Sequence, residues 1–314
     1  MLHHLRQLEI DGPAAAVSVS GDGSLIAVGT KVSSTLIDVG SGRQLRRIPA
    51  DAVVTGLAIS SDNSVLAVAT GAPTVRVYDC KSGKLIHQLI RRIVPDFLRT
   101  QRQVQVAFLP NSPTLITRGE PSPDVTYWNC ESGVWENLIR MPHRSGSVVI
   151  SPDGMHVSLV SEPAPNAYRG HVTMYRVNHG LRSIWNSWHE SDQRVTAAAF
   201  SSNGKQFVSY APGDEIRIWS VDTGQHIASI DEPAKNLYLG VAFVCDVLHL
   251  LTIETRTIAV RRLGQENALA SESSRQPGNI RGFGTSTDGT VVVTFNANAA
   301  MDVWKVDTPA AAGN

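Results

Sequence analysis

Cysteine, aromatic residues and net charge are all scarce in this 314-residue chain. Its cysteines, Cys80, Cys130 and Cys245, are odd in number and far apart, which excludes a disulfide framework and fits a reducing compartment. Lys plus Arg and Asp plus Glu each total 28, so the formal net charge is zero. No overall field draws such a chain to nucleic acid or to an anionic membrane, and any charged partner must be read by a local patch. The longest greasy stretch, 239–253, is interrupted by Asp246 and His249, and the opening MLHHLRQLEIDG has no apolar signal core. An intracellular protein, cytoplasmic or nuclear, without a membrane span is expected. With 42% hydrophobic residues the chain can nevertheless bury a sizeable core.

What the chain has in abundance is self-similarity. Residues 53–90, VVTGLAISSDNSVLAVATGAPTVRVYDCKSGKLIHQLI, and 194–230, RVTAAAFSSNGKQFVSYAPGDEIRIWSVDTGQHIASI, share one plan. Each has alternating apolar residues, a polar turn, an apolar run, a loop, a short alternating run and a second Gly turn, the pattern of four strands. The first turn recurs at Gly23, Asn63, Ser112, Gly154, Gly204, Asp246 and Gly289. Seven occurrences spread over 266 residues give a mean spacing of about 44, the length of one four-stranded propeller blade. The second turn reads GSG at 40–42, KSG at 81–83, ESG at 131–133, NHG at 178–180 and DTG at 222–224. Glycine there supplies the positive backbone angle of a tight hairpin.

Before these turns stand VYD at 77–79, YWN at 127–129 and IWS at 218–220, with VWK at 303–305 in the last repeat. In these residues the chain resembles the WD-repeat family of seven-bladed β-propellers over nearly its whole length. The resemblance implies an all-β ring of four-stranded blades that docks peptides or subunits in multiprotein assemblies. Two family features depart: no Gly-His pair precedes a first strand, and the Trp-Asp dipeptide survives only in forms such as Tyr78-Asp79. The family's Asp-His-Ser/Thr-Trp side-chain network is therefore not expected here. Repeat 6 lacks a clear end to its fourth strand, and repeat 7 stops after its third strand near Val306. Residues 2–10 resemble the fourth-strand segment KLIHQLI and are expected to pair with 300–306, closing the ring in a single domain of residues 1–306. Residues 307–314 read as a disordered tail.

Chemistry is hard to find. GxSxG, GxxxxGK[ST] and HExxH do not occur, and the closely spaced glycines of GFGTSTDG, 282–289, lead into a strand, where no helix N-terminus can hold a phosphate. The ten histidines show no metal-ligand spacing, and His3 and His4 fall on opposite faces of the closing strand. Surface histidines, with no catalytic residue, cofactor or metal, are the expectation. Trp128, Trp219 and Trp304 should pack between blades, and Cys245 should be a small buried hydrophobe. Phosphoinositide-binding propellers resembling this fold carry Phe/Leu-Arg-Arg-Gly; Arg261-Arg262 comes nearest, with Leu263 intervening before Gly264.

Function is better sought in the loops. Turns after strands one and three fall on one face, and loops after strands two and four on the other. The long segments 90–103, 118–124, 140–146 and 161–171 all belong to the second face, where binding function usually resides. They hold eight arginines against four acids, whereas the later loops of that face, 187–194, 211–215 and 230–238, hold six acids against Arg194 and Lys235. A face polarised in this way orients a charged partner. The candidate partner-binding set is Arg91, Arg92, Phe97, Arg99, Arg102, Arg118, Arg144, Tyr168 and Arg169, arginines beside apolar anchors, facing an anionic or mixed-charge protein segment. A noncatalytic, monomeric propeller within a hetero-complex is the leading reading. A phosphoinositide- or small-ligand-binding propeller, or an enzyme using the central channel, is the alternative. The innermost strands, small and apolar, disfavour the last.

Overall fold

The computed structural model describes residues 2–72, 74–90, 104–119, 125–139, 145–161, 170–177, 181–190, 193–230, 240–244, 249–263 and 268–307. Every regular element among them is a β-strand, and the strands form seven four-stranded antiparallel sheets. From the axis outward, blade 1 is Ala16–Val19, Leu25–Gly29, Ser33–Asp38 and Gln44–Pro49, and blade 2 is Val54–Ile59, Val65–Thr70, Thr74–Asp79 and Leu85–Ile90. Blade 3 comprises Val104–Phe108, Thr114–Gly119, Val125–Asn129 and Val134–Ile139; blade 4 comprises Ser145–Ile150, His156–Ser161, His171–Val177 and Leu181–Trp188. Blade 5 follows with Ala197–Phe200, Gln206–Tyr210, Ile216–Ser220 and His226–Ile230. Blade 6 is Gly240–Phe243, His249–Ile253, Thr257–Arg262 and Ala268–Ser273, so its fourth strand has a definite end. Blade 7 takes Gly282–Thr285, Val291–Phe295 and Ala300–Val306 from one end of the chain and Leu2–Glu9 from the other.

Each innermost strand touches those of both neighbours, and the contacts run round without a gap. The fold is a closed seven-bladed β-propeller. The expected closure is present, with Leu2 opposite Val306 and Glu9 opposite Ala300. His3 Nε2 also lies 2.9 Å from the carboxylate of Asp307.

Second strands such as LAVAT and VVVTF are continuous apolar runs because both their faces are covered by neighbouring blades. The core is accordingly divided into seven clusters, one at each blade interface. Trp128, Trp219 and Trp304 lie in these layers, as expected, and their indole N–H groups donate to Thr117, Ser209 and Thr294 of the adjacent second strands at 2.9, 2.8 and 3.0 Å. A buried Trp needs such a partner. Cys80 and Cys130 are buried free thiols, each pushed up to about 12 by burial.

A feature invisible in the composition recurs in all seven blades. The register between third and outermost strands slips by one residue at the same place, leaving Leu5, Leu45, Ile86, Glu136, Ile184, Ile227 and Leu269 unpaired. A bulge bends its strand and re-aims the next side chain. In four blades that side chain clasps a turn of the following blade. Arg6 donates to Gly40 O at 2.6 Å, Arg46 to Lys81 O, His87 Nε2 to Glu131 O at 3.0 Å and Trp185 Nε1 to Val221 O at 2.6 Å. The glycines of those turns have φ near +70°, and two of them have no spare room: a β-carbon on Gly133 or Gly224 would stand 2.6 or 2.7 Å from His87 or Trp185. Glycine is required there both for the left-handed backbone and for the clasp.

Candidate functional site

The two faces of the ring are built differently. On one, the turns after the first strands repeat a hydrogen-bonded unit in which a Ser hydroxyl donates to an Asp or Asn two residues on. The pairs are Ser20–Asp22, Ser60–Asp62, Ser151–Asp153, Ser201–Asn203 and Ser286–Asp288. The same Ser oxygen accepts the backbone N–H five residues on, closing the hairpin. Burial pushes the Asp22 carboxyl up, but hydrogen bonds from Ser20, Ser24 and Asn63 outweigh it and hold it at about 2. These turns spend their polar groups on themselves.

Strand ends on the opposite face carry the segments that differ in length from blade to blade. Eight of the nine sequence-predicted site residues, Arg91, Arg92, Phe97, Arg99, Arg102, Arg144, Tyr168 and Arg169, lie outside the described residues. The ninth corrects its expectation. Arg118 is not on a surface loop but within the second strand of blade 3, opposite Gln105 and Val125, and only 5% exposed. The described part of the chain therefore brings none of the predicted set together.

Between blades 4 and 5 this loop face holds a network that sequence reasoning did not expect. His189, wholly buried, bonds Asp214 through Nδ1 at 2.8 Å and Ser209 through Nε2 at 2.8 Å, and Ser209 also accepts the Trp219 indole N–H. The Asp-His-Ser-Trp network is thus present in blade 5. Burial lowers the His189 pKa, opposed by Asp214, so the imidazole is neutral, donating to Asp214 and accepting from Ser209. Burial raises the Asp214 pKa, but the backbone N–H groups of Glu215 and Glu190 and the charge of Arg217 bring it below the ordinary value. Arg217 donates to Asp214 at 3.2 Å and to the Trp188 carbonyl at 3.2 Å. Trp188, 45% exposed, packs on His171 with ring centroids 4.8 Å apart.

Other histidines depart from the surface expectation as well. His4, His156, His171 and His249 are buried or nearly so; His4 Nε2 reaches the buried Asp302 at 3.1 Å. His156 lines a cleft of about 360 Å³ between blades 4 and 5 on the turn face, with Asp153, Arg176, Lys205 and Asp222 around it. A second cleft, about 410 Å³, lies between blades 2 and 3 beside Asp62, Asn111 and Glu131. Among the described residues no group of three His, Cys, Asp or Glu side chains is arranged to hold a metal ion.

A pH dependence follows from two of these imidazoles. Burial is the main cause that lowers the pKa of both His156 and His189 below the ordinary 6.5. The unfolded chain then takes up protons near pH 6.5 while the folded one does not, so stability, full above that pH, falls as pH drops through it. Urea midpoints measured from pH 8 to pH 5 should decline, and His156→Gln should decline less. Parallel profiles for the two proteins would refute the assignment of His156.

Arg261 and Arg262 do not form a paired site. Arg261 points into blade 6, where Nε donates to Thr252 at 3.3 Å and the guanidinium lies 4.0 Å from Glu254; the next residue, Arg262, is exposed. No family model matches the chain, and no curated protein matches it significantly. Fold and face geometry are therefore what a functional reading must rest on.

Proposed function

We propose that this chain is a noncatalytic interaction scaffold of the WD-repeat type, acting as a monomeric propeller inside a hetero-complex within the cytoplasm or nucleus. The observation that carries this reading is the asymmetry of the faces. One is formed by short, self-satisfied Ser-Asp turns that repeat from blade to blade, whereas the variable segments all leave from strand ends on the other. Chemically varied loops on a rigid sheet frame are the usual means of partner recognition. The blade 5 network supports the WD-repeat assignment. In this reading the segments joining blade 2 to blade 3 and blade 3 to blade 4 supply Arg91, Arg92, Phe97, Arg99, Arg102 and Arg144, and the segment between the second and third strands of blade 4 supplies Tyr168 and Arg169, to an anionic or mixed-charge protein segment. Arginine suits that task because its planar fork holds a carboxylate through two parallel hydrogen bonds.

The test is affinity purification from cells, with partners quantified by mass spectrometry. Replacing Arg91, Arg92, Arg99 and Arg102 with Glu should deplete the main partner about tenfold or more, because each repelled charge pair adds to the loss. The residual binding should be less salt-sensitive. Lys81→Glu with Lys205→Glu, on the turn face, should leave recovery unchanged. The opposite pattern, loss with the turn-face pair alone, would overturn the assignment of the loop face.

A further inference from the structure

The outermost strand of blade 4 ends on the loop face at Trp188, a large apolar side chain left 45% exposed. It is held in place from several directions. Its cross-strand partner His171, itself buried, covers one face of the indole at 4.8 Å with the rings tilted by 41°. Its carbonyl accepts from Arg217, and the next residue, His189, is locked into the buried network. Beyond that, the Glu190 N–H donates to Asp214 at 2.8 Å. The backbone on both sides of the exposed ring is therefore fixed, and ordering this Trp on binding costs little entropy. Half-exposed, pre-organised Trp residues are what interface hot spots are made of.

The surroundings determine the kind of partner. The two stretches that meet here, joined by the Glu190–Asp214 bond, carry Glu190, Asp214 and Glu215 against Arg194. Arg217 is only 15% exposed and is spent on Asp214, Trp188 O and Glu190, whose carboxylate lies 3.6 Å away and is 81% exposed. A π-face open to solvent beside an exposed carboxylate attracts a cation on two counts, the ring quadrupole and the full charge.

We propose that the Trp188–Glu190 ridge is a docking point for a basic segment of a protein partner, a Lys or Arg side chain lying on the free face of the Trp188 indole with its charge toward Glu190. This rests on the scaffold reading and gives the loop face a second, oppositely charged contact. One partner with an acidic and a basic stretch would be held in a single orientation.

The probe is the peptide acetyl-Lys-Gly-Lys-Gly-Lys-amide, titrated into the full chain labelled with 5-fluorotryptophan and followed by fluorine NMR. Its Glu counterpart is the control, and Trp188→Phe assigns the resonance. The Trp188 signal should move with the Lys peptide and not with the Glu peptide, while Trp135, exposed to 51% on the rim of blade 3, stays still. Trp188→Ala and Glu190→Lys should each weaken the Lys peptide about threefold or more, the range of an exposed cation–π or charge contact. Glu190 is exposed enough that its variant keeps the fold even if Trp188→Ala does not. An unmoved Trp188 signal, equal response to both peptides, or equal response of Trp135 overturns the proposal. Partner recovery that depends on the loop arginines but not on Trp188 defeats this inference and leaves the scaffold reading standing; Lys-peptide binding without any recovered partner does the reverse.

Discussion

Deleting residues 2–9 should lower the stability of the propeller by about 5 kcal/mol or more, the sum of two buried Leu side chains and a full ladder of strand hydrogen bonds. Leu2 and Leu8 sit in the clusters at the two faces of blade 7, and Arg6 clasps blade 1 through Gly40. Without that strand the edge of Ala300–Val306 is bare, and buried Met301, Val303 and Trp304 lose their cover. Urea unfolding followed by tryptophan fluorescence measures the effect. Leu5→Ala serves as the control: the bulge leaves that side chain exposed, and its loss should cost less than about 0.5 kcal/mol. A synthetic peptide of residues 1–10 added to the truncated chain should restore much of the loss, because the empty edge is a template for that strand. A truncated chain with an unchanged midpoint would mean that the ring closes some other way.

That closure was legible because the repeat count left three strands at one end and a matching fourth at the other. Blade number and strand order were legible for the same reason: the turns at Gly23, Asn63, Gly154, Gly204 and Gly289 impose left-handed backbone, and only a few residue types tolerate it. The bulges were not. Six of the seven unpaired residues, Leu5, Leu45, Ile86, Ile184, Ile227 and Leu269, are apolar and read as ordinary strand residues, so nothing in the pattern marks the slip. Nor was the blade 5 network, since His189 follows Trp188 and not Gly. The usable signal was the spacing of Ser209 ten residues before Trp219, shared by Thr294 and Trp304. Arg118 was misplaced because Gly119-Glu120-Pro121 reads as the start of a loop, and the strand runs to Gly119. Histidine burial escaped altogether. The same ring serves a surface or a core, and what decides between them is a partner far along the chain, as Asp302 is for His4.

Asp302 is where such long-range pairing is expected to matter most for a single residue. Its side chain is wholly buried, and four donors from two distant parts of the chain converge on it. They are His4 Nε2 at 3.1 Å, Ser274 Oγ at 3.1 Å, the Arg275 N–H at 3.2 Å and Gln276 Nε2 at 3.3 Å. The carboxylate thereby ties the N-terminal strand, the third strand of blade 7 and the connection from blade 6 to one point. Asp302→Ala leaves all four donors facing a cavity, and it should cost about 3–5 kcal/mol, the range for removing one member of a buried charged network. Asp302→Asn keeps an acceptor on one side but sets an NH₂ against two donors, for a loss of about 1–2 kcal/mol. His4→Ala removes one bond and the edge-on contact with Trp304, whose centroid is 4.9 Å away, and should cost a similar amount. The two residues are bonded to each other, so the double variant His4→Ala/Asp302→Ala should be more stable than the separate losses add up to, by about 1 kcal/mol. In the chain lacking residues 2–9, Asp302→Ala should likewise cost less than in the intact protein. Strict additivity in both backgrounds, or an Asp302→Ala loss below about 0.5 kcal/mol, would show that the carboxylate does not hold the seam.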